Sequence, residues 1–162
     1  MSRLDSFIRR LEAQRLCLDW AAARIAGMAG VVLELGLGNG RTYDHLASRL
    51  GPGREIHAFD RQLAAHPGCV PPAGRLVLGE LRETLPRFAA RGLAVAMIHA
   101  DLGSGDSAAT AAQAAWLAPE IAAAGSPGCL VLSDQALADP RLAPLPLPEG
   151  VPAGRYFAYL RG

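Results

Sequence analysis

The chain has 162 residues, which is about the length of one domain. Its basic residues are all arginine, and 16 of them against 15 acidic residues leave a formal charge of +1, so charge gives no reason to expect nucleic acid or an anionic membrane as the main partner. The 18 Gly and 12 Pro residues fall below the roughly 25–30% that indicates disorder, and an apolar fraction of 51% suffices for a core. Composition predicts a single domain over 1–162.

Cysteine usage and the N-terminal sequence indicate where the protein works. Cys17, Cys69 and Cys129 lie far apart without C-x-x-C spacing, so they predict neither a zinc site nor a disulfide framework. The N-terminus is charged where a signal peptide would be apolar, and no uncharged apolar run approaches the ~18 residues of a membrane span. We therefore expect a cytoplasmic protein that is neither exported nor inserted into a membrane.

Hydrophobic periodicity predicts alternating helices and strands. In chain order, the pattern predicts a helix over 4–26 (within an N-terminal segment of 1–29), a strand over 31–35, a helix over 41–50, strands over 56–59 and 76–78, a helix over 81–91, a strand over 94–98, a helix over 106–124, and strands over 130–132 and 155–160. Pro119 is the expected point of any interruption in the last helix. The proline-rich segment 138–153 can hold only a short strand at a sheet edge.

Strands that alternate with helices predict a parallel sheet with helices on both faces, so the expected fold is a doubly wound, mostly parallel α/β sheet with an N-terminal helix. In such sheets the ligand crevice lies beyond the carboxyl ends of the strands. The residues that follow the predicted strands are the glycine-rich run 36–40, Asp60, Glu80, Asp101 and Asp134.

The glycine-rich run differs from the dinucleotide fingerprint G-x-G-x-x-G/A. The third small residue of that fingerprint would fall at position 41, which is Arg41. Glu34, two residues before the first glycine, would repel a pyrophosphate but attract an ammonium group. Asp60 follows Gly40 by 20 residues, a spacing that suits a carboxylate on ribose hydroxyls. The pattern therefore predicts a ligand with a ribose, a charged amine and no essential phosphate.

Five segments resemble, in order and spacing, the motifs of the class I S-adenosylmethionine-dependent methyltransferase family. They are VVLELGLGNG (31–40), IHAFD (56–60), LVLGELRETLP (76–86), MIHADLGSGD (97–106) and CLVLSD (129–134). The resemblance covers nearly the whole chain from residue 31. It implies a Rossmann-like methyltransferase fold and an enzyme that uses S-adenosyl-L-methionine and releases S-adenosyl-L-homocysteine (SAH).

The resemblance also implies a set of cofactor-binding residues. They are Glu34, Gly36, Leu37, Gly38, Asn39, Thr42, Asp60, Arg61, Glu80 and Leu81. In the family pattern, Glu34 would hold the methionine amino group, Thr42 would reach its carboxylate, and Asp60 would bind the ribose. Arg61 would flank the adenine, and Glu80 with the residue after it would meet the polar edge of the base. Glu80 departs from the more usual aspartate.

Methyl transfer is an in-line displacement that depends mostly on orientation, and it needs a base only when the acceptor must lose a proton. Asp101 is the candidate catalytic residue, followed by Asp134, His99 and His45. His99 lies in an apolar strand, where a buried and hydrogen-bonded histidine is the expected reading, and His45 is expected at the surface. Trp20 and Trp116 are expected to fill the core or an interface.

Several alternatives remain open. Asp101 with Asp134 and Gln135 is similar to the magnesium ligands of metal-dependent O-methyltransferases, although no metal is the primary expectation. The N-terminal helix is expected to pack on the sheet rather than form a lid. The small domain favours a small-molecule acceptor, with a homo-oligomer as one way to complete the site. Other functions are a non-catalytic S-adenosylmethionine-binding sensor or partner subunit and a nicotinamide oxidoreductase, which Glu34 and Arg41 disfavour.

Overall fold

The computed structural model describes residues 2–103 and 106–162, so positions 104 and 105 of the fourth motif lie outside the described residues. The elements are α1 (Arg3–Arg24), β1 (Val31–Leu35), α2 (Arg41–Leu50), β2 (Ile56–Asp60), a 3-10 turn (Pro67–Cys69), β3 (Leu76–Leu78), α3 (Leu81–Ala89), β4 (Val95–Ala100), α4 (Ser107–Ala124), β5 (Leu130–Ser133), β6 (Leu142–Leu145) and β7 (Phe157–Arg161). Each predicted helix and strand is present within a few residues of its expected bounds.

The seven strands form one sheet in the order β3-β2-β1-β4-β5-β7-β6. Strands β1 to β5 are parallel, whereas β7 runs antiparallel to both β5 and β6. The chain winds outward in one direction from β1 and in the other from β4, so the topological switch point lies between these two strands. The expectation of a doubly wound, mostly parallel sheet is confirmed.

Helices cover both faces of the sheet and form two apolar cores. On one face, Leu18 of α1, Leu46 of α2 and Ile25, which follows the end of α1, pack against the sheet. On the other face, α3 and α4 pack Phe88 and Ile121. The strands β1, β4 and β5 are buried along their whole length, which explains why they appear in the sequence as continuous apolar runs.

Proline has different effects at two places in the chain. The proline-rich segment contributes β6, a four-residue strand at the sheet edge, as expected. Helix α4, in contrast, continues through Pro119, so the expected point of interruption does not interrupt it. Leu117, Ala118 and Ile121 on either side of the proline are buried in the core, and this packing outweighs the local penalty of the proline. Among the described residues, no helix is long and apolar enough to span a bilayer.

Candidate functional site

A cavity of about 740 Å³ opens at the carboxyl ends of β1, β2, β3 and β4, next to the switch point. Its volume falls within the range of roughly 300–1,000 Å³ that is typical of small-molecule sites. The predicted residues that line it are Gly36, Leu37, Gly38, Asn39, Thr42, Asp60, Arg61, Glu80, Leu81 and Asp101. The structure therefore brings together ten of the eleven predicted site residues around one cavity, and Glu34 is the exception.

The turn after β1 has a backbone that favours glycine at two positions. Gly36 has a φ of +90°, and a Cβ atom there would lie 2.7 Å from the carbonyl oxygen of Asp101 at the end of β4. Gly38 has a φ of +52°, and no atom lies within 4 Å of its Cβ position. Gly36 thus permits the close approach of two strand ends, and Gly38 leaves open space that a ligand can occupy.

Asp60 holds this turn against the end of β2. One carboxylate oxygen accepts a hydrogen bond from the backbone N–H of Gly38 at 2.8 Å, and the other accepts from the N–H of Arg61 at 2.7 Å. Oδ1, the oxygen that accepts from Arg61, also accepts from the N–H of Gln62 at 3.4 Å, so Oδ2 is the oxygen that retains a lone pair for a ribose hydroxyl. Glu80 precedes α3, and its side chain makes no capping hydrogen bond to that helix.

Glu34 and His99 form a buried pair beneath the cavity, and neither is exposed to solvent. One Glu34 oxygen lies 2.7 Å from His99 Nδ1, and the other accepts from the hydroxyl of Thr42. His99 Nε2 lies 2.6 Å from the hydroxyl of Tyr156. Both ring nitrogens have partners, so the expectation of a buried, hydrogen-bonded histidine is confirmed. Glu34 supports Thr42 rather than reaching the cavity surface.

Asp101 is tied to α1. Its Oδ1 accepts from Arg10 Nη2 at 3.0 Å, and its Oδ2 accepts from Gln14 Nε2 at 2.6 Å. The same Gln14 nitrogen lies 3.3 Å from the Tyr156 hydroxyl. Sequence reasoning missed Arg10, Gln14 and Tyr156 as site residues. The signal for Gln14 was available, because it is a polar residue on the face of α1 that also carries Cys17 and Leu18.

Charge in this network shifts two pKa values upward. Burial by itself lowers the pKa of His99, but the Glu34 carboxylate, with smaller contributions from Asp101 and Asp134, outweighs it and raises the pKa above the ordinary value of 6.5. Burial, reinforced by the charge of Asp101, raises the pKa of Tyr156 well above its ordinary value. The imidazole of His99 therefore holds its proton more tightly in the folded chain than in the unfolded chain.

This difference predicts a stability loss at mildly alkaline pH. The stabilisation linked to the His99 proton is complete below about pH 6.5 and is lost as the pH rises through the folded-state pKa. We expect the free energy of unfolding, measured in urea, to fall as the pH rises above about 6.5. Burial lowers the pKa of His57, so the contribution of His57 to the pH dependence of stability lies at lower pH. A His99→Gln variant with the same slope would contradict the assignment.

The residues of the magnesium alternative hold protein partners in this structure. The carboxylate of Asp134 accepts from the backbone N–H of Gly103 at 2.9 Å and of Leu102 at 3.3 Å, and Gln135 donates its side-chain amide to it at 3.1 Å. The oxygens of Asp101 accept from α1. No group of three His, Cys, Asp or Glu side chains within 2–103 and 106–162 is arranged to hold a metal ion. Asp134 instead fixes the loop after β4.

The N-terminal helix does more than pack on the sheet. Its first half contributes Phe7, Arg10, Leu11 and Gln14 to the cavity wall, whereas its second half packs on the sheet. The expectation of packing alone is wrong for the first half. Trp20 packs at the margin of the core, as expected.

Trp116 packs against the core on the face of α3 and α4, as expected, and it also lines the cavity. The guanidinium of Arg82 lies 4.4 Å from its ring. The side chain of His45 is partly exposed, at 24%, and pairs with Asp19 at 2.8 Å at the surface of the contact between α1 and α2.

Comparisons with known proteins match the chain to the same family that its site residues indicate. A family whose description is S-adenosyl-L-methionine methyltransferase matches residues 1–161. A solved structure of an S-adenosyl-L-methionine methyl transferase from Silicibacter pomeroyi DSS-3 is 45% identical, with a TM-score of 0.94, and covers 100% of this chain and 99% of its own. No curated protein sequence matches the chain.

More distant structures share the fold. TrmN from Thermus thermophilus is 22% identical with a TM-score of 0.60, covering 88% of this chain and 46% of its own. The O-methyltransferase TomG from Streptomyces achromogenes, solved in complex with S-adenosylmethionine, is 18% identical with a TM-score of 0.51, covering 72% of this chain and 54% of its own. With its glycine turn, Asp60 and Glu80 at one cavity, and a family match over nearly its whole length, this chain belongs to the S-adenosyl-L-methionine methyltransferase family.

Proposed function

We propose that this enzyme transfers the methyl group of S-adenosyl-L-methionine to a small-molecule acceptor that binds between the cofactor and the first half of α1. The observation that carries this proposal is the composition of the cavity wall. The motif residues supply one part of the wall, and Phe7, Arg10, Leu11 and Gln14 supply another. Cofactor and acceptor would share about 740 Å³, a volume that suits a small acceptor.

The described residues fit the cofactor. Gly38 leaves open space, Asp60 lines the cavity with its carboxylate held by backbone N–H groups, and Glu80 lines it without a capping hydrogen bond to α3. We assign Asp60 to the ribose and Glu80 with Leu81 to the adenine. Thr42, whose hydroxyl is oriented by the buried Glu34, takes the methionine end.

The protein's contribution to the reaction would be orientation. The bound cofactor supplies an electrophilic methyl group on a sulfonium, and holding a nucleophile in line with it can contribute about 7–11 kcal/mol. We assign Asp101 to the acceptor. Its carboxylate accepts two hydrogen bonds from Arg10, at 3.0 and 3.3 Å, and one from Gln14 at 2.6 Å. An ionised carboxylate offers about four acceptor positions, so one remains to orient an acceptor O–H or N–H.

A labelling experiment tests the acceptor class. The enzyme is incubated with methyl-labelled S-adenosylmethionine and an extract that has been separated into small-molecule and macromolecular fractions. We expect enzyme-dependent label in the small-molecule fraction. Label found only in the macromolecular fraction would contradict the proposal. Tight SAH binding without transfer to either fraction would favour the non-catalytic alternative.

Removing the Asp60 carboxylate tests the ribose assignment. We expect Asp60→Ala to weaken SAH binding by about tenfold or more, because hydrogen bonds to a charged group contribute about 1.5–3 kcal/mol each. Calorimetry measures the affinity, and thermal unfolding checks that the variant is folded. Asp139→Ala is the control, since Asp139, like Asp60, accepts from a backbone N–H but does not line the cavity; its other donor is the side chain of Arg141. Wild-type affinity in folded Asp60→Ala would refute the assignment.

A further inference from the structure

An unbroken chain of hydrogen bonds leaves the cavity wall, crosses the interior and returns to the wall. It runs from Asp101 through Gln14, Tyr156, His99 and Glu34 to Thr42. Asp101, Gln14 and Thr42 line the cavity, whereas the three middle residues do not. The two cavity-lining ends belong to the strand end at β4 and to the first turn of α2.

Stability alone does not account for Glu34, His99 and Tyr156, the three residues in the middle of this hydrogen-bond chain. His99 and Glu34 are fully buried, and Tyr156 is 2% exposed, in a part of the interior that is otherwise apolar. Replacing a buried ion pair by apolar side chains of similar volume is often neutral or stabilising. A buried polar network of this kind specifies one arrangement of the groups at its ends.

We propose that Tyr156 and His99 are positioning residues, which couple the Asp101 side of the cavity to the Glu34–Thr42 side; this inference rests on the proposed function, because it assigns the two sides to acceptor and cofactor. Gln14 donates from one nitrogen both to Asp101 and to Tyr156, so a rotation of its amide disturbs both contacts. His99 is bonded to Tyr156 on one side and to Glu34 on the other, so a displacement of Tyr156 reaches Thr42 through three hydrogen bonds.

Tyr156→Phe removes only the hydroxyl that joins the two halves. We expect it to weaken SAH binding about fivefold, an effect similar to the net contribution of one hydrogen bond, although Tyr156 does not line the cavity and its hydroxyl contacts only Gln14 and His99. Tyr159→Phe is the matched control, because the Tyr159 hydroxyl is also buried and accepts from the backbone N–H of Leu137 at 2.9 Å. We expect this control to bind SAH as the wild type does. Equal affinities of the two folded variants would overturn the proposal.

A second measurement uses the unmodified enzyme and separates positioning from a purely structural role. We expect SAH to shift the NMR signals of the His99 ring nitrogens, because the network transmits the ligand contact to a side chain that the ligand does not touch. His57 is equally buried, lies on the neighbouring β2 and contacts Arg75 instead, so its signals should stay in place. Unchanged His99 signals at saturating SAH would overturn the positioning role of Tyr156 and His99 but not the proposed function. A wild-type enzyme that does not bind SAH would overturn the proposed function together with it.

Discussion

Replacement of Gly38 by valine is expected to weaken SAH binding by about a hundredfold or more. The Cβ position of Gly38 meets no atom within 4 Å, and the residue lines the cavity, so a branched side chain would enter the space that the ligand needs. The φ of +52° adds strain of about 1–2 kcal/mol for a residue with a Cβ. Calorimetry with SAH measures the loss.

Gly74 provides a control that separates strain from obstruction. Its φ is +81°, no atom lies within 4 Å of its Cβ position, and it is exposed and remote from the cavity. Gly74→Val should therefore lower stability by a similar amount and leave SAH binding intact. A folded Gly38→Val variant that binds SAH like the wild type would show that the ligand does not lie against this turn.

Replacement of Glu34 by leucine is expected to lower the free energy of unfolding by about 3–5 kcal/mol, because removing one member of a buried pair leaves the other uncompensated. His99 would lose the partner 2.7 Å away, and Thr42 would lose its acceptor. Urea denaturation at neutral pH measures the loss. This effect would be a large fraction of the stability of a typical domain.

Two further variants test the origin of that loss. Glu83→Ala removes an exposed partner of Arg87, at 3.5 Å and one helical turn away, and should change stability by about 0.5 kcal/mol or less. The double variant Glu34→Leu with His99→Leu should recover part of the stability lost in Glu34→Leu, since it removes both members of the buried pair. If Glu34→Leu is no less stable than Glu83→Ala, the pair does not contribute as described.

The fold could be predicted from the sequence because the patterns that specify each strand and helix span only a few neighbouring residues. The fully buried strands β1, β4 and β5 are short apolar runs, and the helices repeat at 3.6 residues, so alternation alone indicated a doubly wound sheet. The proline-rich segment also behaved as local rules require, with β6 as a short edge strand. Pro119 did not, because the core contacts of Leu117 and Ile121 are tertiary and override a local preference.

The cofactor-binding turn could also be predicted from neighbouring residues in the sequence. Gly36, Gly38, Asp60 and Glu80 follow strands whose carboxyl ends meet at one sheet edge, so their positions in the chain determine that they share a cavity. The acceptor side was not accessible in this way. Gln14 lies 87 residues from Asp101 and 142 from Tyr156, and no local pattern relates partners at such separations.

The amino-acid sequence by itself determined the order of strands and helices, the glycine turn and the acids at the strand ends, because periodicity and backbone preference act over a few neighbouring residues. Only the tertiary structure decided that Glu34 turns inward to His99 and Thr42, that α1 supplies part of the cavity wall, and that Asp101 is held by Arg10 and Gln14. These arrangements depend on burial and on hydrogen bonds between distant segments, which form only when the sheet and its helices have packed together.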